Sequence, residues 1–200
     1  MSELPPRRAA QARTTKETSI AVEVDLDSTA ISEISTGLPF FDHMLSQICR
    51  HGELSMKLEA HGDIDVDAHH LVEDVGLTLG GAINEALLDR RGIERFANVA
   101  IPMDEVLVNV ALDISGRPFL SYHAALTHPH LLGNPGFDPQ LAEEFFRALS
   151  LELRCALHID VIRGVNTHHI IEATHKGFGR ALRGAKARSG YEIPSTKGVL

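Results

Sequence analysis

From Ser19 the chain reads SIAVEVDLD, apolar and polar residues alternating with the period of two that a half-buried strand requires. DST then turns the chain and AISEIS returns, so the segment predicts a hairpin. PFFDHMLSQICRHG changes to helical spacing and stops at Gly52. LSMKLEAHGDIDV is strand-like again, with His61-Gly62-Asp63 as a turn. Asp67 is a suitable N-cap for a helix from about Ala68 to Asp89, and Gly92 lies just past its end.

The same order then recurs. EVLVNVALDISGRPFLSYH predicts a second hairpin turning at SGRP, AEEFFRALSLELRCAL a helix, HIDVI a short strand, and NTHHIIEATHKGFGRALRGAKA a final helix. Setting Glu17 against Glu105 aligns ETSIAVEVDLD with EVLVNVALDIS at an offset of 88, whereas His69 and His168 are 99 apart. The eleven extra residues are assigned to the Gly- and Pro-rich loop ALTHPHLLGNPGFDP. Each half is thus hairpin, helix, strand, helix. Residues 1–95 and 96–188 form the two halves of one compact α/β domain of the α+β type, with 1–14 as a disordered arm and 189–200 as a tail.

Length and composition narrow the function. Two hundred residues with 44% hydrophobic content can build one full core. No apolar run approaches the roughly 18 residues of a membrane span, which predicts a soluble chain. A net charge of −8 argues against nucleic acid as a partner, but not against an anionic substrate held by a local Arg/Lys cluster. Cys49 and Cys155 are far apart in apolar contexts, without metal spacing, and read as buried thiols in a reducing cytoplasm. The Arg-bearing start has no apolar stretch and is not a secretory signal.

Twelve histidines beside two tyrosines and no tryptophan are the unusual feature, because imidazole is the commonest metal ligand. DAHHLVED and NTHHIIEA repeat one pattern: His69, His70, Glu73 and His168, His169, Glu172. On a helix, His69 with Glu73, and His168 with Glu172, share a face at i, i+4. His70 and His169 are turned by about 100° and suit a second metal, or one completed by another subunit. The first helices add one ligand type each, His43 in HMLSQI and Glu144 in EFFRAL. Eight imidazoles and carboxylates without thiolate suit two octahedral ions, Mn²⁺ foremost. Neither copy has a zinc-protease spacing.

Arg95 in GIERF, Arg117 in the SGRP turn, and Ser195, Thr196 and Lys197 in PSTKG are candidate phosphate contacts. The other histidines (His51, His61, His123, His128, His130, His158, His175) read as structural or surface groups, His51 and His61 coming nearest to exceptions.

In FFDHML, HGD, DAHHLVED, GIERF, MDE, DISGRPF, NTHHIIEA and PSTKG, taken in this order, the chain resembles the imidazoleglycerol-phosphate dehydratases of histidine biosynthesis over nearly its whole length. The resemblance implies a duplicated half-domain with two sheets packed with helices, like the second domain of a small-subunit ribosomal protein. It further implies a cytoplasmic homo-oligomer of 24 subunits, with active sites at subunit contacts and two Mn²⁺ per site. His43, His69, His70, Glu73, His168, His169 and Glu172 match metal-ligand positions; at Glu144 many relatives carry His. Substrate contacts fall on Glu17, His43, His51, Arg95, Arg117, Ser195 and Lys197, and proton transfer on Glu17, Glu73 or Glu172. The implied reaction dehydrates D-erythro-imidazole-glycerol phosphate, the metals binding its ring as imidazolate. Two other readings stay open on the residues alone: a dinuclear phosphate-ester hydrolase, and an oligomeric scaffold stapled by metal.

Overall fold

The computed structural model describes residues 5–126 and 130–200. The first half runs β1 (Arg8–Thr14), β2 (Thr18–Asp25), β3 (Glu33–Ser35), α1 (Pro39–Gly52), β4 (Ser55–Gly62) and α2 (His69–Ala86). The second repeats it as β5 (Phe96–Met103), β6 (Val106–Asp113), β7 (Phe119–His123), α3 (Leu141–Leu153), β8 (Ala156–Arg163) and α4 (Thr167–Ala185).

The alternation in SIAVEVDLD does what a period of two requires: Ile20, Val22 and Val24 point into the core while Ala21 and Glu23 face out. Helix α1 opens on a proline, which needs no N–H there. It buries Phe41, Met44, Leu45 and Ile48 along one stripe. Glu53 in the left-handed region closes it.

The strands form two four-stranded sheets, ordered β1-β2-β4-β3 and β5-β6-β8-β7. This corrects both expected hairpins. β2 already bonds β1 on one edge and β4 on the other, so no edge is left for β3, which lies parallel to β4 instead. β6 is likewise filled by β5 and β8, and β7 runs parallel to β8. The actual hairpins are β1-β2 and β5-β6.

The disordered arm is corrected too. From Arg8 it is strand β1, paired with β2 along its length. Its alternate positions carry little apolar signal, because alanine stands where valine would. Polar clamps hold it instead: Arg7, buried, ion-pairs with Asp27, and Arg13 binds Asp74 on α2 at 2.7 Å.

Helices α1 and α2 cover the first sheet, α3 and α4 the second, and the helix layers meet as α1 on α4 and α2 on α3. Every interhelical contact of consequence therefore joins one half of the repeat to the other. β6 begins 88 residues after β2 and β8 begins 101 after β4, while the second His pair stands 99 after the first. The eleven-residue difference is thus a thirteen-residue insertion before α3, less two residues lost before α4. At the offset of 101, His43 and Glu144 are equivalent positions.

Candidate functional site

Two close helix crossings bring the repeated segments together. A Cβ at Gly179 of α4 would lie 2.9 Å from the Ile48 carbonyl of α1, and one at Gly76 of α2 would lie 2.8 Å from the Phe145 carbonyl of α3. Only glycine allows backbones this near.

At the α1–α4 crossing, His43 Nε2 stands 3.5 Å from Glu172 Oε2, and His168 Nε2 2.9 Å from the same oxygen. One ligand atom from each of the three residues lies within 4.8 Å of the others. Glu172 is 7% exposed, and its Oε1 binds Lys176 at 2.7 Å. Burial alone would raise its carboxyl. The hydrogen bonds from Lys176 and His168 outweigh that and leave it below the usual range.

The second histidine of each pair is gripped at Nδ1. His70 Nδ1 lies 3.2 Å from Asp63 and 3.7 Å from Glu17, and the Asp63 hydrogen bond, with Glu17 nearby, raises His70 above its ordinary value. His169 Nδ1 lies 2.9 Å from Glu105. Glu105 is held at about 2 by His169 first, then by the Asn166 amide. Glu17, Asp63 and His70 make a second convergent group. Asp63 and Glu105 were not among the expected site residues. The signal for both was present, in HGD and in the alignment of Glu17 with Glu105.

The remaining expected ligands are placed as follows. His69 and Glu73 pair on α2 at 3.7 Å, half exposed. Glu144, in the first turn of α3, contacts Arg147 at 3.6 Å. Among the described residues it does not converge with His69 and Glu73 as His43 does with His168 and Glu172. Helices α2 and α3 carry the three on touching elements.

His51 ends α1 in an open pocket with Ser32, Arg50 and Glu53. Burial, then the charges of Lys176 and Arg180, lower its basicity. His61 is exposed beside Glu59. His175 is fully buried between Phe145 and Phe146. His128 lies outside the described residues. Cys49 and Cys155 are buried free thiols, raised by burial to about 11 and about 12.

The expected phosphate contacts gather at the other end of the second half. The Arg95 fork engages both oxygens of Asp113, at 2.7 and 3.2 Å, and the Pro194 carbonyl at 3.0 Å. It thereby ties the tail that carries Ser195 and Lys197. A Cβ at Gly116, beside Arg117, would meet the carbonyl carbon of the C-terminal Leu200 at 2.8 Å. The Arg95 amide bonds the carbonyl of Ala185, the last residue of α4, whereas His168 and His169 open that helix. At 1.5 Å per residue these two ends of α4 stand about 25 Å apart.

Comparisons with known proteins find relatives over nearly the whole chain. A family model described as Imidazoleglycerol-phosphate dehydratase matches residues 36–182. A protein of that name from Anaeromyxobacter sp. (strain K) is 49% identical over 97% of this chain and 92% of its own length. One from Burkholderia cenocepacia is 48% identical over 97% of this chain and the whole of its own. Among solved structures, an imidazoleglycerol-phosphate dehydratase from Pyrococcus furiosus, in complex with (S)-C348, superposes with a TM-score of 0.83. It is 39% identical and covers 95% of this chain and 100% of that one. The Staphylococcus aureus enzyme gives a TM-score of 0.81 at 41% identity, covering 91% and 99%.

Proposed function

The chain belongs to the imidazoleglycerol-phosphate dehydratase family, hydro-lyases of histidine biosynthesis, and from that premise we propose that it dehydrates D-erythro-imidazole-glycerol phosphate to imidazole-acetol phosphate in the cytoplasm. No helix among the described residues is long and apolar enough to cross a membrane. The observation that carries the catalytic part is the convergence of His43, His168 and Glu172 from opposite halves of the repeat.

Two imidazoles and one carboxylate aimed at a common point fit a divalent ion such as Mn²⁺. His43, His168 and Glu172 would hold one ion, and His69, Glu73 and Glu144 the other, with His70 and His169 completing the two sets. When bound, such an ion supplies Lewis-acid polarisation that draws charge into the substrate imidazole and favours the imidazolate.

The protein side chains do the rest. In substrate and product, the hydroxyl on the carbon attached to the ring is lost, and so is a proton from the next carbon; the resulting enol becomes the ketone. Glu17 is the proton acceptor. Glu172 has both oxygens engaged and Glu73 is assigned with His69 to a metal set, whereas Glu17, half exposed and 3.7 Å from His70, is left out of both sets. Ser195, Lys197 and Arg117 hold the phosphate, with Arg95 fixing the tail that brings two of them, so that binding positions the reacting carbons.

The separation of about 25 Å between the two ends of α4, the phosphate end and the histidine end, far exceeds the length of a six-carbon phosphate ester. On this reading a second copy brings its phosphate end to the histidines of the first, in a homo-oligomer that the family resemblance sizes at 24 subunits. Subunit mixing tests this. His168→Ala and Lys197→Ala should each be inactive alone, and co-refolding them should restore part of the ketone formation if sites are shared. No recovery, with both variants assembled, would place each site within one copy. Release of free phosphate instead of ketone would favour the hydrolase.

A further inference from the structure

The duplication lets the two halves be compared atom by atom. At the offset of 88, Glu17 and Glu105 are equivalent, and each faces the second histidine of its own half's pair at Nδ1. The contacts have diverged. Glu105 Oε2 binds His169 at 2.9 Å, while its Oε1 accepts from the backbone N–H groups of Asn166 at 2.9 Å and Val165 at 3.4 Å. Asn166 in turn caps α4, its side-chain oxygen accepting from the His169 amide at 3.2 Å. Carboxylate, ring and helix start form one closed set of bonds. In the first half the two-residue-longer turn before α2 supplies Asp63, which holds His70 at 3.2 Å, and Glu17 stands back at 3.7 Å.

We infer that Glu105 is a positioning residue: it fixes the His169 ring with the proton on Nδ1, so that Nε2 is the unprotonated nitrogen offered to the site. Asp63 performs the same task for His70, and that substitution is what leaves Glu17 free for chemistry. One ancestral carboxylate thus has two descendants, one structural in its action on a ligand and one reactive. An imidazole held at one nitrogen by a carboxylate is a better-oriented and more basic ligand at the other. Asp104, 3.8 Å from His169 Nε2, lies on the open side of the ring and does not compete for Nδ1.

The orientation can be read without metal, although its consequence for binding rests on the metal reading above. Full-length, metal-free protein with ¹⁵N-labelled histidine is studied by magic-angle-spinning NMR, His169 being identified by its loss in His169→Ala. The wild type is expected to show His169 as the Nδ1–H tautomer, and Glu105→Ala to shift it toward Nε2–H. Mn²⁺ affinity, followed by the EPR signal of free ion, is expected to fall about 10- to 100-fold. Glu105→Gln, whose amide oxygen can still accept from Nδ1–H, keeps the tautomer and loses less affinity. An Nδ1–H tautomer that survives in Glu105→Ala, or an affinity within twofold of wild type, overturns the inference. Should the wild type itself bind no Mn²⁺, the metal reading fails, and the tautomer comparison still decides the role of Glu105.

Discussion

His43 and Glu172 come from opposite halves of a duplicated chain, yet Nε2 of one lies 3.5 Å from Oε2 of the other. Glu172 is also the least exposed residue of its cluster, so its charge must be met by close polar partners, here the Lys176 ammonium and the His168 ring. Glu172→Gln keeps the shape and removes the charge. Its Mn²⁺ affinity should drop by more than the roughly 10- to 100-fold that losing a supporting partner costs, with turnover falling alongside. Isothermal titration against the wild type checks this.

Gly179→Ala should act at a distance. The added methyl would sit 2.9 Å from the Ile48 carbonyl, so α1 must move away from α4. Overpacking of this kind costs about 1–3 kcal/mol. Because His43 rides on α1 and Glu172 on α4, metal affinity should fall together with the urea midpoint. Gly190→Ala, where a Cβ meets nothing within 4 Å, should change neither.

Removing one clamp of the N-terminal strand should weaken the whole domain. Arg13 and Thr18 both bind Asp74, which is 8% exposed. Arg13→Ala leaves that carboxylate without its cation, a loss of about 1–3 kcal/mol. Chemical denaturation measures it, and Arg8→Ala, at an exposed pair with Asp25, serves as the weaker comparison.

Stability should also fall with acid through one buried imidazole. Burial pushes His175 down from 6.5 to about 4, so it is neutral in the fold. Above pH 6.5 both folded and unfolded chains leave it neutral and its contribution is complete. Between 6.5 and 4 the unfolded chain takes up a proton that the folded chain refuses, and stability declines by an amount on the order of 3 kcal/mol, fully lost below 4. His175→Phe should flatten the slope of melting temperature over that window.

The elements of this fold are legible where side chains alternate strongly or cap cleanly: SIAVEVDLD, PFFDHMLSQICRHG and the Asn166-capped helix stand where the pattern puts them. Pairing was not legible. Which edge of β2 is taken depends on β1, whose alanines carry no apolar signal, and on β4, contacts that local periodicity does not encode. The site shows the same division. The duplicated His-His-x-x-Glu segments announce its ligand types, and helix geometry predicts that His168 and Glu172 share a face. That His43 would join them required the α1–α4 crossing at Gly179. Asp63 and Glu105 act on Nδ1 of the second histidine in each pair and lie outside the repeated His-His-x-x-Glu segments, so counting ligands in those segments would not select them.

The most direct test of the account is turnover of imidazole-glycerol phosphate by chelator-treated protein, before and after Mn²⁺, beside His169→Ala. Ketone formation that disappears on chelation, returns with Mn²⁺ and stays absent in the variant is the expected result. Equal turnover by the chelated protein, the reloaded protein and the variant would contradict it, leaving the twin histidine pairs as a residue of duplication alone.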